Sequence, residues 1–543
     1  MLLEKIQKLS KKEMVEFFMQ SCENVSEVQS LVLKEILTLN KDTEFAKQFG
    51  FSDISSYEEF KKNIPITTWQ DYKEYSNRMQ NGEKDLIFAG AVEYFTQTSG
   101  TTGKMKLLPE SRYGKMAKQL VTAIRTSILF SKYPDILKGK YLPMINGATM
   151  GYTKAHIPYG SASGLSVKNL SPQLLNYMAF PKEIAEVSDI QTADYLTMRF
   201  AIEHDVRLII GNNAGRIESL ILHAKRYQNL IISDIRDGTI NKKFVIDKNL
   251  MELLKPYLKP NPKRADELLK RTKTSKEFLP SLYWSNLEVI SCWLGGSVGR
   301  YTKKILKYFT GYEKGIEFFD VGYGASEVKV NIPIKSDTSS GIVASFGAFY
   351  EFLPLGSDDK EDVLLLNQLE LDKEYRLIIT TYSGLYRYDM KDIVKVDGFI
   401  GDTPTISFIS KSGDIGNICG EKVTASLISD VVDRFFDIDV KYFCAIADKD
   451  EFRYVLCVEP ESRFDISQDE LKNLAKDIEE YMFVLNDPYK VFREQNLLNK
   501  LEIKIMPKGW YDELIQHKLK TKAAANQIKL PVIYESYPIG VKE

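Results

Sequence analysis

The sequence contains little of what a metal centre or a nucleophilic hydrolase needs. Its five cysteines are scattered without a Cys-x-x-Cys pair, and only four histidines occur in 543 residues. Cysteine and histidine clusters bind zinc, and conserved spacings of many cysteines form disulfide frameworks. No histidine stands beside a serine or cysteine that it could activate. The composition therefore argues against all three kinds of site, and it favours a reducing compartment.

Charge excess and long apolar runs are also missing. Lys and Arg number 73 against 74 Asp and Glu, which gives a formal net charge of −1. Such a balance does not indicate a nucleic-acid or membrane surface. The first residues lack the apolar core of a signal peptide, and no run is long enough to span a bilayer. We therefore expect a cytoplasmic protein with no nucleic-acid partner and no membrane insertion.

The alternation of apolar runs and helical stretches predicts an α/β fold. The first forty residues have helical periodicity. From about 112 to 320, apolar runs end in glycine turns and lead into helical stretches, as at Leu208–Gly211 and Leu287–Ser297. Ligands of such folds bind at the carboxyl ends of the strands, where these turns lie. Residues 341–400 contain short strand-like pieces, such as Val343–Leu353, and predict a β-rich subdomain.

A chain of this length exceeds one ordinary core, so two or more domains are expected. After Gly398 the pattern begins again with two strands around residues 448–451, which predict a hairpin. A helical pattern from Ser467 to Leu485 and a strand at Leu501–Met506 follow. We therefore predict a large domain over 1–400 and a small α+β domain over 401–543.

A loop rich in glycine and hydroxyl groups is the most informative stretch. It reads Thr98-Ser-Gly-Thr-Thr-Gly-Lys104. Glycines let a backbone approach a ligand closely, while hydroxyls, N–H groups and a lysine suit phosphate oxygens. A Walker A loop is excluded, because two residues separate Gly100 from Gly103 and Met105 follows Lys104. Composition alone also fits an ordinary polar surface loop.

Three further segments carry side chains suited to a nucleotide site. Val321–Glu327 places an aromatic ring, two glycines, a serine and a carboxylate at a predicted strand end. Gly384–Asp392 contains one arginine and two acids, and Ala525–Pro531 contains a lysine near the C-terminus. Taken singly, these segments also fit a plain glycine turn, a strand with a solvated ionic edge, and an exposed terminal lysine.

Together and in this order, the segments resemble the nucleotide-binding motifs of the adenylate-forming superfamily, which includes acyl-CoA synthetases and luciferases. More narrowly, the chain resembles the GH3 auxin-responsive family of acyl acid–amido synthetases. Each motif is weak alone, but the ordered set is specific and runs from about residue 60 to the end. Beside the Thr98–Lys104 loop, the narrower resemblance rests on Tyr323–Glu327, Tyr350–Pro354, Thr380–Tyr388, Gly420–Lys422 and Asn526–Pro531.

The resemblance implies a large N-terminal α/β domain with a β-rich subdomain and a small, mobile α+β C-terminal lid. It also implies a ligase that uses ATP and Mg²⁺. A carboxylic acid and ATP give an acyl-adenylate and pyrophosphate, and an amine, usually an amino acid, then attacks the acyl carbon. Two alternatives stay open: an acyl-CoA ligase that uses the coenzyme A thiol, and a nucleotide-binding protein without turnover.

The resemblance further implies roles for individual residues. Glu327 would carry Mg²⁺, because this hard cation prefers carboxylate and phosphate oxygens. Lys529 would bring positive charge from the lid to the reacting centre when the lid closes. Asp392 would accept hydrogen bonds from the ribose hydroxyls, and Lys411 would lie beside the ribose. The β- and γ-phosphates would be held by the loop residues Thr98, Ser99, Gly100, Thr101, Thr102, Gly103 and Lys104. The adenine or the α-phosphate would be lined by Tyr323, Gly324, Ala325 and Ser326.

Some positions depart from the family pattern. Lys391 precedes Asp392 where the family often has glycine, and Lys411 stands where it often has arginine. Because a lysine cannot reproduce a bidentate arginine contact, Lys411 is expected to bind ribose more weakly or to serve structurally. Gly296 and Ser297 match a family loop near the acyl pocket. The sequence does not indicate the acid, the amine or the oligomeric state.

Overall fold

The structure is a computed structural model that describes residues 1–99, 105–144, 149–161, 172–187, 189–211, 214–275, 277–295, 300–355, 357, 362–411, 415–418, 421–494, 497–520 and 530–541. The chain divides into two compact units. The larger comprises Met1–Thr98, Lys106–Met390 and Val394–Phe408, and the smaller comprises Ser99–Met105, Lys391–Ile393 and Ile409–Glu543. The domain boundary at residue 400 and the mobility of a C-terminal lid stay predictions.

The larger unit begins with helices, in agreement with the helical periodicity of the first forty residues. Capping boxes start two of them, with Ser10 paired to Glu13 and Ser56 paired to Glu59. These reciprocal bonds satisfy N–H groups that a helix leaves without internal partners. The helices are α1 Leu2–Gln7, α2 Lys11–Ser21, α3 Val25–Asn40, α4 Glu44–Gln48, α5 Tyr57–Asn63 and α6 Trp69–Gln80.

A four-stranded sheet and a long helix follow. The strands are β1 Tyr94–Ser99, β2 Met105–Glu110, β4 Gly151–Tyr152 and β5 Pro158–Gly160, in the order β2-β1-β5-β4. Helix α7, Arg112–Lys132, begins two residues after β2, with the Ser111 hydroxyl accepting the Gly114 N–H at its N-terminus. This helix buries Met116, Leu120 and Ile124 in the same core as α1 to α3.

A parallel sheet of four buried strands confirms the α/β prediction. Its strands are β3 Lys140–Pro143, β6 Val206–Ile210, β7 Val289–Cys292 and β8 Glu317–Asp320, in that spatial order. In both predicted units a strand is followed by a helix, β6 by the helix Ala214–Arg226 and β7 by the helix Arg300–Ile305. The helices here are α8 Pro172–Leu175, α9 Ile190–Glu203, α10 Ala214–Arg226, α11 Gln228–Asp237, α12 Lys248–Leu254, α13 Pro262–Lys273, α14 Pro280–Tyr283 and α15 Arg300–Ile305.

A seven-stranded sheet forms the β-rich part, in the order β12-β11-β13-β14-β15-β10-β9. The predicted single strand-like piece Val343–Leu353 is wrong, because a turn separates β10 from β11. The Gln29 amide stabilises this turn by donating to the carbonyl oxygens of Ser345 and Ala348, at 2.5 and 2.8 Å. The strands are β9 Asn331–Ile332, β10 Gly341–Val343, β11 Phe349–Pro354, β12 Leu364–Leu365, β13 Glu374–Thr380, β14 Tyr388–Ile400 and β15 Thr403–Lys411.

The smaller unit is an α+β structure. Its hairpin of β18 Val440–Asp448 and β19 Arg453–Pro460 lies in a sheet of order β20-β19-β18-β21, and the Ser467 capping box starts the long helix α17. Cys444 and Cys457 face each other on the hairpin as free, buried thiols. The remaining elements are β16 Ile415–Gly416, β17 Val423–Thr424, α16 Ala425–Phe435, α17 Gln468–Leu485, α18 Asp487–Glu494, β20 Glu502–Ile505, α19 Trp510–Lys520 and β21 Ile533–Tyr534.

No helix in the described part of the chain is long and apolar enough to cross a membrane.

Candidate active site

The first predicted motif stands between two neighbouring strands of the larger unit's four-stranded sheet. Thr98 and Ser99 are the last residues of β1, and Met105 is the first of β2. Residues Gly100, Thr101, Thr102, Gly103 and Lys104 lie outside the described residues, as do the side chains of Thr98 and Ser99. Their roles in phosphate binding stay predictions.

The second motif forms a tight turn directly after β8. Gly322 has a φ of +89°, and a Cβ there would lie 2.8 Å from the carbonyl oxygen of Asn331. Both facts require glycine at this position. Within the turn, the Ala325 N–H donates to the Val328 carbonyl at 2.8 Å, and Gly324 pairs with Lys329 in an isolated β-bridge. The backbone of residues 322–331 is thus tightly constrained.

Tyr323 is held from two sides. Its N–H donates to the Asn331 side-chain oxygen at 2.7 Å, and the Asn331 amide donates to the carbonyl of Ile406 at 2.7 Å. Its ring stacks on that of Phe408, with centroids 5.2 Å apart and an interplanar angle of 29°. Tyr323 and Asn331 are both buried. A nucleotide contact made by Tyr323 would therefore come from a preorganised ring.

A buried arginine and an aspartate support the base of this turn. Asp320 accepts the N–H groups of Leu294 and Gly322 at 2.7 and 2.6 Å, and burial raises the pKa of its carboxyl to about 6. The Arg125 guanidinium donates to the Asp320 carbonyl at 2.9 Å and to the Ser291 hydroxyl. Burial lowers the pKa of Arg125 to about 10. Desolvation disfavours the charged form of both groups.

Lys118 and Glu110 form an ion pair beside the same turn. The Lys118 ammonium donates to Glu110 Oε2 and to the Ser326 carbonyl, both at 2.5 Å. The other carboxylate oxygen of Glu110 accepts the Ser383 hydroxyl at 2.9 Å. Helix α7 is thereby tied to Ser326 and to the segment that follows β13. Glu110 is buried, so its charge is compensated within the protein.

Glu327 and Lys329 line a small cleft together with Lys118 and Ser383. Glu327 is half-buried, and Lys329 lies two positions further along the turn. Burial, reinforced by the charges of Lys118 and Arg125, lowers the pKa of Lys329 to about 8. A carboxylate and a cation of the turn therefore border the same small cleft.

The donor set at Glu327 fits Mg²⁺ bound together with a phosphate ligand. Among the described residues, no three His, Cys, Asp or Glu side chains gather in a way that could hold a metal ion. Mg²⁺ usually keeps several waters and takes one or two carboxylates plus substrate phosphates. A single carboxylate such as Glu327 is compatible with that coordination.

Asp392 and Lys411 meet in the smaller unit. The Lys411 ammonium contacts Asp392 Oδ1, with the aspartate side chain 3% and the lysine side chain 42% exposed. The sequence did not predict this contact, and the site that the resemblance assigns to the two residues stays a prediction. Their proposed contacts with ribose are not tested by the structure.

The charged residue Arg387 of the segment 384–392 is buried and paired, whereas the composition of that segment also fitted a strand with a solvated ionic edge. Arg387 is 4% exposed, and its Nε donates to both carboxylate oxygens of Glu351, at 3.0 and 3.2 Å. Glu351 lies on β11 and is fully buried. Its Nη1 donates to the carbonyls of Lys61 and Ile64 at 3.0 and 2.9 Å, and the Tyr57 hydroxyl donates to Glu351 at 3.0 Å. The solvated-edge interpretation is therefore wrong for Arg387, which holds three segments together.

Comparison with known protein families covers most of the chain. The GH3 family N-terminal domain matches residues 14–314, the central domain matches 341–411, and the C-terminal domain matches 427–538. The chain belongs to the GH3 family. The resemblance inferred from the motifs is confirmed.

Curated members of the GH3 family align with this chain over nearly its whole length. It is 26% identical to the indole-3-acetic acid-amido synthetase GH3.6 of Arabidopsis thaliana, across 97% of this chain and 92% of that protein. It is 25% identical to the jasmonoyl–L-amino acid synthetase JAR4 of Nicotiana attenuata, across 98% and 95%. The first is named an amido synthetase and the second an amino acid synthetase, so the predicted enzyme class is confirmed at the level of the family.

A solved GH3 structure confirms the fold. The acyl acid amido synthetase GH3.15 in complex with 2,4-DB superposes with a TM-score of 0.81, at 22% identity, across 97% of this chain and 94% of that chain. The agreement concerns the fold alone. The assignment of individual site residues is not decided by it.

Three other predicted site residues of this GH3 protein lie outside the described residues. They are Lys529 and the acyl-pocket candidates Gly296 and Ser297. The structure does bring together Tyr323, Gly324, Ala325, Ser326 and Glu327 in one turn.

Sequence reasoning missed the cations around that turn. Lys118 and Arg125 stand seven positions apart on α7, which places them on one face of the helix, two turns apart. Leu120, Val121 and Ile124 between them are buried. A charged pair at this spacing among buried apolar residues is a signal that the sequence contained. Lys329 had no comparable signal, because only the turn brings it over Gly324.

Proposed function

We propose that this chain is an ATP-dependent acyl acid–amido synthetase. The observation that carries the proposal is the ordered match of three GH3 domains along the chain. Relatives named as an indole-3-acetic acid-amido synthetase and as jasmonoyl–L-amino acid synthetases align over at least 96% of it. Those relatives are named for different acids, indole-3-acetic acid and jasmonic acid derivatives, so the proposal does not extend to a particular acid. Pockets on one fold discriminate ligands through a few side chains.

The reaction would proceed in two displacements. A carboxylate oxygen attacks the α-phosphorus of ATP, the bond to the bridging oxygen breaks, and pyrophosphate leaves. The nitrogen of the amine then attacks the acyl carbon, the bond to the AMP oxygen breaks, and the amine releases a proton. Holding the reacting atoms in line and neutralising phosphate charge supplies most of the rate gain in such displacements.

The described residues support the first displacement in three ways. The stacked Tyr323 ring and the constrained backbone of Gly324 and Ala325 would hold the nucleotide against the end of β8. Glu327 would bind Mg²⁺, which neutralises phosphate charge when bound. Asp392 would accept hydrogen bonds from the ribose hydroxyls. Lys411, which contacts Asp392, would orient the Asp392 carboxylate.

The residues outside the described part complete the proposal. Thr98, Ser99, Gly100, Thr101, Thr102, Gly103 and Lys104 would hold the β- and γ-phosphates. Gly296 and Ser297 would border the acyl group. Lys529 would stabilise negative charge at the α-phosphate or the carboxylate. Because it would lie in a C-terminal lid, its positive charge would reach the reacting centre only when the lid closes.

ATP-dependent pyrophosphate release tests the proposal. The assay uses aromatic and aliphatic acids, with and without pooled amino acids or coenzyme A. Release that requires an acid, together with amide formation that requires an amino acid, is the expected result. Release with thioester formation from coenzyme A alone would assign the chain to the thioester ligases. ATP binding without release for any acid would support a non-catalytic nucleotide-binding protein.

Lys529→Ala tests the role of the lid lysine, with the exposed Lys508→Ala as the matched control. Adenylate formation in a single turnover should fall by about 10²- to 10³-fold in Lys529→Ala, the size seen when one charge-stabilising donor is removed. Lys508→Ala should retain the wild-type rate. Equal rates for the two variants would show that Lys529 does not act in adenylation.

A further inference from the structure

The side chain of Lys329 lies against the segment that would hold the nucleotide. Lys329 closes the turn opposite Gly324 through the isolated β-bridge. A Cβ added to Gly324 would lie 2.6 Å from Lys329 Cδ and 3.3 Å from Lys329 Nζ. The alkyl stem therefore occupies the space over Gly324, and the ammonium is held beside the Tyr323–Ala325 backbone.

The charge of Lys329 has no carboxylate partner in the described part of the chain. Its neighbour Lys118 differs, because it is neutralised by Glu110 and also bonded to the Ser326 carbonyl. Within the described residues, Arg125 donates to neutral oxygen atoms, on Ser291 and Asp320. A partly buried ammonium without a counter-ion is energetically costly, and this makes Lys329 a candidate for binding an anionic ligand.

The surroundings of Lys329 select an anion rather than a cation as the ligand. Two further cations, Lys118 and Arg125, project from α7 toward the same turn. The carboxylate of Glu110 is consumed by Lys118 and Ser383. Glu327 is the nearest acid in sequence, and the proposed function gives it to Mg²⁺. An incoming oxyanion would compensate the charge that the protein leaves on Lys329.

We propose that Lys329 binds a substrate oxyanion at the point where the carboxylate of the acid meets the α-phosphate of ATP. This inference rests on the proposed function. Both substrates present the same chemistry to an ammonium group, namely a singly bonded oxygen with negative charge. Lys329 is thereby an anion-binding residue contributed by the turn itself, separate from the predicted loop and lid lysines.

Charge-removing and charge-keeping variants test the assignment. Lys329→Met retains the alkyl stem over Gly324 and removes the charge, whereas Lys329→Arg retains the charge. The exposed Lys335→Met, six positions along the chain, is the matched control. Affinities for ATP and for AMP are measured by calorimetry, the KM of the acid that supports wild-type turnover by pyrophosphate release, and the unfolding midpoint of each variant in urea.

We expect a loss of about tenfold to a hundredfold for Lys329→Met, the size of one hydrogen bond to a charged group, and a smaller loss for Lys329→Arg. Weaker binding of both ATP and AMP identifies the α-phosphate as the source of the oxyanion. Unchanged nucleotide affinity with a raised KM for the acid identifies the carboxylate.

Two results would overturn the inference. One is that Lys329→Met and Lys335→Met agree within about twofold in the affinity for ATP, the affinity for AMP and the KM of the acid. Such a difference is too small for a charged hydrogen bond. The other is that Lys329→Arg loses as much affinity as Lys329→Met, because the charge would then be irrelevant. Failure of the wild-type protein to turn over any acid would contradict the proposed function, while the ATP and AMP affinities would still decide whether Lys329 binds phosphate.

Discussion

Two charged clusters in the larger unit differ in how their charges are compensated. The buried pair, defined as Glu351 with Arg387, is closed: the side chains are 0% and 4% exposed, and each charge meets the other. The turn cluster, defined as Lys118, Arg125, Glu327 and Lys329, is open, since Lys329 forms no ion pair among the residues that the structure describes. The first cluster connects β11, the start of β14 and the end of α5. In the second cluster, Lys118, Glu327 and Lys329 line a cleft.

This difference separates two reasons for a motif to recur in a protein family. Glu351 and Arg387 lie in segments that resemble GH3 motifs, Tyr350–Pro354 and Thr380–Tyr388, yet their side chains face each other and the backbone. Tyr323–Glu327 also matches a motif, and Glu327 in that turn lines a cleft. A family motif therefore includes residues that are paired inside the protein as well as residues that border a cleft, and only the contacts distinguish them.

Breaking the buried pair should give the largest loss of stability. Arg387→Met would leave the Glu351 carboxylate buried without its counter-ion, and we expect the free energy of unfolding to fall by about 3–5 kcal/mol. Urea denaturation followed by circular dichroism measures the loss. The exposed pair Lys225–Glu277 supplies the control, since Lys225→Met should cost at most about 1 kcal/mol.

A double variant sharpens this test. Arg387→Met combined with Glu351→Leu removes the uncompensated charge, and we expect it to recover part of the lost stability. A loss below about 1 kcal/mol for Arg387→Met would mean that water or another group reaches Glu351, and the cluster would then not be closed in the sense used above.

Asn331, which holds Tyr323 in the turn, should contribute less to stability than the buried pair does and more to nucleotide binding. Asn331→Ala removes the bonds to the Tyr323 N–H and the Ile406 carbonyl, and an unsatisfied buried group costs about 1–3 kcal/mol. We expect an unfolding free energy lower by that amount and weaker ATP binding, because the Tyr323 ring loses its fixed position.

The comparison between the clusters predicts opposite patterns. Arg387→Met, at a temperature where it is still folded, should bind ATP as the wild type does, whereas Asn331→Ala should not. The exposed Asn286→Ala is the control for side-chain removal. Unaltered ATP affinity in Asn331→Ala would separate the turn from nucleotide binding and would contradict the proposed role of Tyr323.

Local sequence patterns predicted individual helices and strands, whereas features that depend on contacts between distant residues could not be predicted from the sequence. The run Leu208–Ile210 and the capped helix at Ser467 were predictable because a strand or a helix start is encoded in a few adjacent residues. The division of Val343–Leu353 was not, because the turn depends on Gln29, more than 300 positions away. The solvated ionic edge stayed open as an alternative for Gly384–Asp392 for the same reason: the counter-ion of Arg387 lies 36 positions earlier.

The candidate site shows the same limit. Family resemblance selected Tyr323, Glu327, Asp392 and Lys411 as site residues, which stays a prediction, and the structure shows the last two in contact. It gave no indication of Lys329, whose position depends on the backbone path between Gly324 and Asn331. Charge compensation is a property of three-dimensional neighbours, so it becomes visible only in the folded chain.

The Asp392–Lys411 pair should give the smallest effect, and it tests whether exposure governs the comparison. Lys411 is 42% exposed, so solvent screens its attraction to Asp392, and we expect Lys411→Met to lower the unfolding free energy by at most about 1 kcal/mol. Lys411→Arg should change it still less. Calorimetric titration with ATP adds the functional measurement, in which Asp392→Asn should weaken binding more than Lys411→Met, because the aspartate is the proposed ribose acceptor. A loss of 3 kcal/mol or more from Lys411→Met, comparable with that of a buried pair, would show that Asp392 depends on this lysine as Glu351 depends on Arg387, and exposure of one partner would then not distinguish an open pair from a closed one.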